Sequence, residues 1–101
     1  KNMLTKKFFK TKQEAEVTFE LNVQQAKKVQ LVAEFNDWQP VDMRFVKKDK
    51  TYRAKVRLPK NKQFHFRYLI DEEVWENDHQ ADAYIPNSFG TENSVVDTAV
   101  S

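Results

Sequence analysis

The sequence predicts an all-β protein, an antiparallel β-sandwich of the immunoglobulin-like type. Several short runs alternate apolar with polar residues, as half-buried antiparallel strands do. Turn-forming pairs such as Asn36-Asp37 and Asp49-Lys50 separate these runs at intervals of about ten residues, which is typical of sandwiches. The chain of 101 residues has the length of one small domain. We therefore interpret residues 1–101 as a single unit, with residues 1–13 as an N-terminal extension or edge strand.

Seven strands are expected along the chain, each defined by alternation or by a short β-branched and aromatic run. They cover residues 14–21, 29–35, 43–45, 51–58, 64–70, 74–76 and 93–100. The inward phase of these strands predicts the core. The side chains expected to be buried are Val17, Phe19, Leu31, Phe35, Val56, Phe64, Phe66 and Ile70.

Two segments lack a clear strand pattern. Residues 77–91 do not alternate and are expected to form a long loop with one helical turn at Gln80 to Ala83. Near the N-terminus, Leu4, Phe8 and Phe9 either belong to an edge strand or lie across the sandwich.

Composition excludes several classes of function. The chain has no cysteine, so it has no disulfide and no thiolate for a metal or a nucleophile. Its one glycine, Gly90, cannot build a glycine-rich phosphate loop. No apolar run is long enough to span a membrane, and no signal-peptide core follows the first lysines. We expect a cytoplasmic protein without a membrane partner and without a cofactor.

Charge is unevenly distributed along the chain. Residues 1–70 hold all 17 basic residues and 7 acidic ones, and residues 71–101 hold the other 8 acidic residues. Either basic and acidic strands pair across one sheet surface, or the protein has a polarised surface with an acidic end. The net charge of +2 is too small to indicate a nucleic-acid partner.

The two tryptophans fall outside the inward phase of their strands. If Asp71, Glu72 and Glu73 form a three-residue turn, Ile70 lies opposite Val74 and Leu69 lies opposite Trp75. Trp75 then points to the outer face, diagonal to Arg67. Trp38 follows the turn at Asn36-Asp37. The alternative is that each tryptophan caps the core at a sheet edge.

Exposed aromatic rings beside an arginine and an asparagine suit a flat ligand with one apolar face. Pyranose rings have such a face, and nucleobases also stack on aromatic side chains. Trp75 and Phe89 lie in the acidic segment, which would repel a phosphate backbone but not a neutral sugar polymer. The charge distribution therefore favours a sugar over a nucleic acid.

Three short motifs follow one another in the order and spacing of one known family. Phe35-Asn36-Asp37-Trp38 matches F-N-x-W, Arg67 to Trp75 is similar to Y-[KR]-F-x-V-D-G-x-W, and Phe89 to Asn93 is similar to L-G-x-x-N. The chain thus resembles the glycogen-binding modules of carbohydrate-binding module family 48. These are the early-set domains of isoamylases and glycogen branching enzymes, and of the β subunit of AMP-activated kinase.

The resemblance extends over residues 14–98 and implies an early-set sandwich that binds α-1,4-linked glucan or maltooligosaccharides. The family's sugar-contacting positions fall on Trp38, Arg67, Trp75, Phe89 and Asn93. The chain departs from the family in its turn at 71–73, which is one residue longer and lacks glycine. Phe89 stands where binding members commonly have leucine, and Arg67 replaces the lysine of the kinase-subunit type.

No catalytic residue and no metal ligand is expected. His79 lies near Asp78 and Asp82, but such a loop is more often solvated than metal-bound, and His65 has no second ligand at a suitable spacing. The carboxylates between Asp71 and Glu76 are not enclosed as a glycosidase pair would be. The alternative to glucan binding is a protein-interaction domain, which docks an enzyme of glucan metabolism through a sandwich face or the segment with Leu4, Phe8 and Phe9.

Overall fold

Two antiparallel sheets pack face to face as an immunoglobulin-like β-sandwich, as the alternation predicted. The computed structural model describes residues 3–100, so the ends of the predicted unit 1–101 and of the extension 1–13 lie partly outside the described residues. Within residues 3–100 the helical structure is one 3₁₀ turn, Glu34–Asn36. No helix in this part of the chain is long and apolar enough to cross a membrane.

The strands are β1 Met3–Phe8, β2 Glu14–Leu21, β3 Val29–Ala33, β4 Val41–Asp42, β5 Arg44–Val46, β6 Thr51–Pro59, β7 Gln63–Ile70, β8 Val74–Glu76, β9 Ala83–Pro86 and β10 Glu92–Asp97.

The strand order places β7 in the middle of the second sheet. The first sheet has the order β1-β2-β6-β5, and the second has the order β4-β3-β7-β10-β9. On one edge of β7 lies β3. The opposite edge is shared, because β8 pairs with residues 68–70 of β7 and β10 pairs with residues 63–66. Arg67 lies between these two stretches, at the seam between β8 and β10.

The core lies between the sheets and follows the predicted phase. Val17, Phe19, Leu31 and Phe66 are buried, and the ring centroids of Phe19 and Phe66 lie 5.0 Å apart in an edge-to-face contact. Four other residues expected in the core are only partly buried, although they pack against it. These are Phe35, Val56, Phe64 and Ile70.

The second predicted strand, 29–35, ends earlier than expected. Strand β3 stops at Ala33, and the 3₁₀ turn follows because the Asn36 side chain accepts a hydrogen bond from the Ala33 amide (3.1 Å). Phe35 therefore reaches the core from the turn, with its ring 5.7 Å from Phe19 and 5.8 Å from Phe64. Asparagine favours such local turns over continued strand pairing.

The predicted third strand at residues 43–45 is two strands in different sheets. Strand β4 pairs with β3, and β5 pairs with β6. Met43 lies at the crossing, where its amide bonds the Val29 carbonyl (2.8 Å) and its side chain is buried. Phe45 follows the inward phase but is 47% exposed, because it lies beyond the end of the core.

The segment 77–91 contains a strand rather than the predicted helical turn at Gln80 to Ala83. Strand β9 forms the edge of the second sheet and pairs with β10. The seventh predicted strand, 93–100, is correspondingly shifted to Glu92–Asp97. Alternation fails in β9 because an edge strand with exposed Tyr84 and Ile85 has no clear buried face.

Asp78 is buried, contrary to its interpretation as a solvated loop carboxylate. It accepts a hydrogen bond from the Tyr68 hydroxyl (2.6 Å) and another from the Gln80 amide (2.8 Å). The Asp78 amide donates to the Ser94 hydroxyl oxygen (2.9 Å). Burial, together with the Asp78 charge, raises the pKa of the Tyr68 phenol well above its ordinary value. The hydrogen bonds of Asp78 to Tyr68 and Ser94 anchor segment 77–82 to strands β7 and β10 of the second sheet.

Replacing Tyr68 by phenylalanine is expected to lower the free energy of unfolding by about 1.5–3 kcal/mol, because the buried Asp78 Oδ2 loses the Tyr68 hydroxyl as its donor. The native protein should also lose stability above about pH 10, where tyrosine ionises in the unfolded chain but Tyr68 stays protonated in the fold. The variant should lack the part of this loss that Tyr68 contributes. Urea denaturation at neutral and alkaline pH measures both effects. An unchanged alkaline loss in Tyr68→Phe would contradict this assignment.

The N-terminal segment forms an edge strand, one of its two predicted placements. Strand β1 pairs with β2 in register from Met3 opposite Glu20 to Phe8 opposite Ala15. Lys6 extends from β1 to Asp82 in the acidic segment (2.7 Å) and Lys28 approaches Glu72 (3.7 Å), so two ion pairs link the basic and acidic parts of the chain. Across the outer surface of the first sheet, Arg53 pairs with Glu20 (2.7 Å).

Candidate functional site

The outer face of β7 forms the floor of the candidate site. Side chains point outward at Arg67 and Leu69, and their cross-strand neighbours share that face. Val32 of β3 lies opposite Arg67, and Trp75 of β8 lies opposite Leu69. This is the register that the three-residue turn at 71–73 predicted. Trp75 is 46% exposed and lies on the outer face, so it does not belong to the core between the sheets.

The turn at 71–73 holds this register without a glycine. Asp71 and Glu72 both have positive φ (52° and 59°), the sign pattern of type I′ hairpin turns. Asp71 tolerates this conformation because its carboxylate accepts hydrogen bonds from the Lys27 and Lys28 amides (2.8 and 2.9 Å). The turn is therefore anchored to the loop before β3, and Trp75 is held in place from outside its own hairpin.

Arg67 lies against Trp75 with its guanidinium carbon 5.1 Å from the ring centroid. This stacking fixes both planes and leaves the edges of the guanidinium group for hydrogen bonds. Its Nε atom is shielded from solvent and has no acceptor among residues 3–100. Within the same residues no carboxylate lies within 4 Å of Arg67. The side chain thus presents an unsatisfied donor beside an exposed aromatic ring.

Trp38 is projected by an unusual backbone conformation. The 3₁₀ turn closes with two hydrogen bonds, from the Trp38 amide to the Ala33 carbonyl (2.8 Å) and from the Asp37 amide to the Glu34 carbonyl (3.1 Å). Asp37 and Trp38 both have positive φ (58° and 59°). A bulky side chain in this region is strained by about 1–3 kcal/mol, and such strain is concentrated at functional sites. Here it directs a 43% exposed indole outward.

Asn87 holds the loop 87–93, which lines the site beside the two tryptophans, in its conformation. Its Oδ1 accepts hydrogen bonds from the Phe89 and Thr91 amides (2.9 and 3.2 Å), which closes the loop around Gly90 (φ +82°). Its Nδ2 donates to the Asn93 Oδ1 (3.1 Å). The Asn93 amide nitrogen in turn lies 3.3 Å from the His65 Nδ1. This chain of amides orients Asn93 and leaves the Phe89 ring 87% exposed at the loop tip.

One open pocket of about 660 Å³ brings all five predicted site residues together. Sequence reasoning did not identify three further lining residues as parts of the site. Asn87 was recognised only as part of a turn, although the Asn-x-x-Gly spacing is a signal for a loop stabilised by an asparagine side chain. None of the lining residues is acidic, and Arg67 is the one with a permanent charge. The lining residues are Val32, Trp38, Arg67, Trp75, Asn87, Phe89, Thr91 and Asn93.

Replacing Asn87 by alanine is expected to loosen the 87–93 loop, because two backbone amides lose their acceptor. Hydrogen exchange at Phe89 and Thr91 should become roughly tenfold faster, equivalent to about 1 kcal/mol. Asn87→Asp is the matched control, since it keeps the Oδ1 acceptor and removes the Nδ2 donor, which bonds the Thr91 hydroxyl and the Asn93 Oδ1. Equal acceleration in both variants would contradict the role of Oδ1.

The described residues contain no metal-binding cluster, and comparison with known proteins gives no family for the chain. Among residues 3–100, no group of three or more histidine, aspartate or glutamate side chains could hold a metal ion. His79 lies 3.9 Å from Glu76 at the surface. No protein-family model matches the chain. No curated protein matches it either.

Proposed function

We propose that this protein binds α-1,4-linked glucan, as glycogen-like polymer or maltooligosaccharide, and does not cleave it. The observation that carries the proposal is that Trp38, Arg67, Trp75, Phe89 and Asn93 all line one open pocket. Exposed, pre-positioned indoles offer flat apolar faces, which match the axial C–H face of a pyranose ring. Rigid rings lose little conformational entropy when a ligand stacks on them.

The polar groups of the pocket suit the hydroxyls of such a ring. Arg67 lines the pocket and is only partly buried, so the terminal nitrogens of its guanidinium group can donate to a sugar hydroxyl. The Asn93 amide, held by Asn87, can both donate and accept. Because the pocket is open and shallow, little of the ligand is buried, so one site should bind weakly. A polymer would be retained more tightly only by several linked sites.

A non-catalytic role follows from the lining of the pocket. Glycoside hydrolysis uses two carboxyl groups on opposite sides of the scissile bond. The pocket lining contains none. Arg67 is the one permanently charged lining residue, whereas binding to a nucleic-acid backbone relies on several cations, so the lining suits a neutral polymer better than a nucleic acid. A cytoplasmic location fits the proposal, because glycogen-like polymers are made and used there.

The second candidate function is protein docking at the outer edge of β1. This edge has no strand partner within residues 3–100, and Phe8 beside it is 37% exposed. An extended segment of another protein, for instance of a glucan-metabolising enzyme, could add a strand there. The β1 edge and the aromatic pocket lie on different sheets, so the two functions are separable.

A titration with maltoheptaose followed by amide and indole chemical shifts tests the proposal. We expect both tryptophan indole signals to shift, together with the amides of loop 87–93, and to saturate at about millimolar ligand. Cellohexaose, which is β-linked, is the control and should shift these signals far less. The absence of shifts with maltoheptaose would reject glucan binding and favour protein docking. Release of reducing ends from amylose would reject the non-catalytic role.

A further inference from the structure

A second cleft, of about 840 Å³, shares no lining residue with the aromatic pocket. It lies between the loop 22–28 after β2 and the strands β5 and β6. Its apolar floor includes Met43, Phe45 and Tyr52, and the rings of Phe45 and Tyr52 lie 5.1 Å apart. The Tyr52 hydroxyl donates to the Ala26 carbonyl (2.8 Å). This bond holds the loop against β6, so the cleft is pre-formed.

The rim of this cleft is basic. Four lysines and one carboxylate, Asp42, line it. Lys28 is already occupied, since its ammonium lies 4.0 Å from Asp42 and 3.7 Å from Glu72. The other three are Lys27, Lys47 and Lys50, all exposed, and none of their ammonium groups has a carboxylate within 4 Å in the described part of the chain. The cleft therefore holds uncompensated positive charge around an open aromatic ring.

We propose that this basic cleft binds a small phosphate ester that carries a planar ring. The lysine ammonium groups can neutralise a doubly charged phosphate, and the 47% exposed Phe45 ring offers a stacking face for the planar part. The volume lies within the roughly 300–1,000 Å³ that is typical of small-molecule sites. Amide side chains at the rim, from Asn22, Gln24 and Gln25, can bond polar ring substituents. Nothing in this proposal depends on glucan binding.

Binding is tested by titrating the isotopically labelled protein with adenosine monophosphate, uridine monophosphate and phenyl phosphate. Adenosine and inorganic phosphate are the controls, one without the charge and one without the ring. At least one ester should shift amides of residues 22–28 and 43–52 and bind about tenfold more tightly than either control. Raising the salt from about 50 to about 200 mM should weaken binding. The absence of shifts with all three esters, or equal binding of adenosine and its phosphate, would overturn the proposal.

Two double variants with the same change in net charge locate the site. Lys27→Gln with Lys47→Gln should weaken ester binding about tenfold, which is about 1.4 kcal/mol, because two ammonium groups beside the phosphate are lost. Lys10→Gln with Lys55→Gln removes two exposed lysines outside the cleft and should leave affinity within about twofold. Phe45→Leu should weaken binding by loss of the stacking face. Equal losses in the two double variants would show attraction to net charge alone and overturn the proposal. Maltoheptaose binding in each variant separates this outcome from failure of the aromatic pocket.

Discussion

Replacement of Phe66 by alanine should lower the free energy of unfolding by about 3–5 kcal/mol. Phe66 is fully buried and its ring lies 5.0 Å from Phe19 and 5.7 Å from Tyr68, both in edge-to-face contacts. Truncation removes these contacts and leaves a cavity that β-sheets on both sides cannot collapse to fill. Because domains of this size are stable by about 5–15 kcal/mol, the loss is a large share of the total. Urea denaturation monitored by tryptophan fluorescence measures it.

Phe89→Ala is the matched control for Phe66→Ala, since it removes the same atoms from an 87% exposed ring. Its effect should stay within about 0.5 kcal/mol, as for most surface substitutions. A cost below about 1 kcal/mol for Phe66→Ala would contradict the inward phase of β7. It would also contradict the outward direction of Trp75, because the two follow from the same alternation.

Trp75→Ala should abolish measurable glucan binding. An aromatic ring that stacks on a planar ligand contributes about 1–3 kcal/mol, by analogy with base stacking, so its loss weakens a site tenfold or more. A weak, shallow site that loses this much affinity no longer binds measurably. Stability should fall by only about 1–2 kcal/mol, because Trp75 is half-exposed and lies outside the core between the sheets. Maltoheptaose titration and urea denaturation of the same sample measure the two effects.

Trp38→Ala should abolish binding in the same way, since both indoles line one pocket. Trp75→Phe and Trp38→Phe are the conservative variants, and each should retain part of the affinity because a ring face remains. Binding that persists in both alanine variants would rule out a shared site. A loss of stability as large as that of Phe66→Ala would show that Trp75 acts as a cap on the core.

Strand phases could be predicted from the sequence because burial on one face imposes alternation. In β2, apolar residues occupy every second position and all of them are buried, so the prediction needed no knowledge of neighbouring strands. The same logic gave Leu69 opposite Trp75, since a three-residue turn leaves one register. The local pattern was sufficient to predict the phase of a strand wherever one face of that strand is buried and the other is exposed to solvent.

Features that depend on distant partners could not be predicted in this way. Asp78 has the local context of a solvated loop, and its burial is made tolerable by the Tyr68 hydroxyl ten residues away together with the nearby Gln80 amide. Met43 and Phe45 have the spacing of one short strand, yet the chain changes sheets at Met43, whose amide donates a hydrogen bond to the Val29 carbonyl. In both cases a tertiary hydrogen bond overrides the local pattern.

The candidate site was predictable to a similar degree. Trp75 and Arg67 followed from hairpin geometry, and the motifs supplied Trp38, Phe89 and Asn93 as candidates. Asn87 was missed as a site residue because its role is indirect. It contributes by holding backbone amides and the Asn93 side chain, and these hydrogen bonds become visible only once the loop is closed.

The seam at Arg67 divides the pocket between two strands that do not pair with each other. Trp75 is carried by β8 and Asn93 by β10, and each of these strands pairs with its own stretch of β7. The aromatic and amide halves of the pocket can therefore diverge separately during evolution. Two residues gained or lost at 71–73 would move the indole along β7 on the same face and leave the amide where it is, whereas a change of one residue would turn the indole to the opposite face. The length of that turn can thus set the spacing between the two recognition elements, and with it the distance from ring face to hydroxyl that a ligand must match.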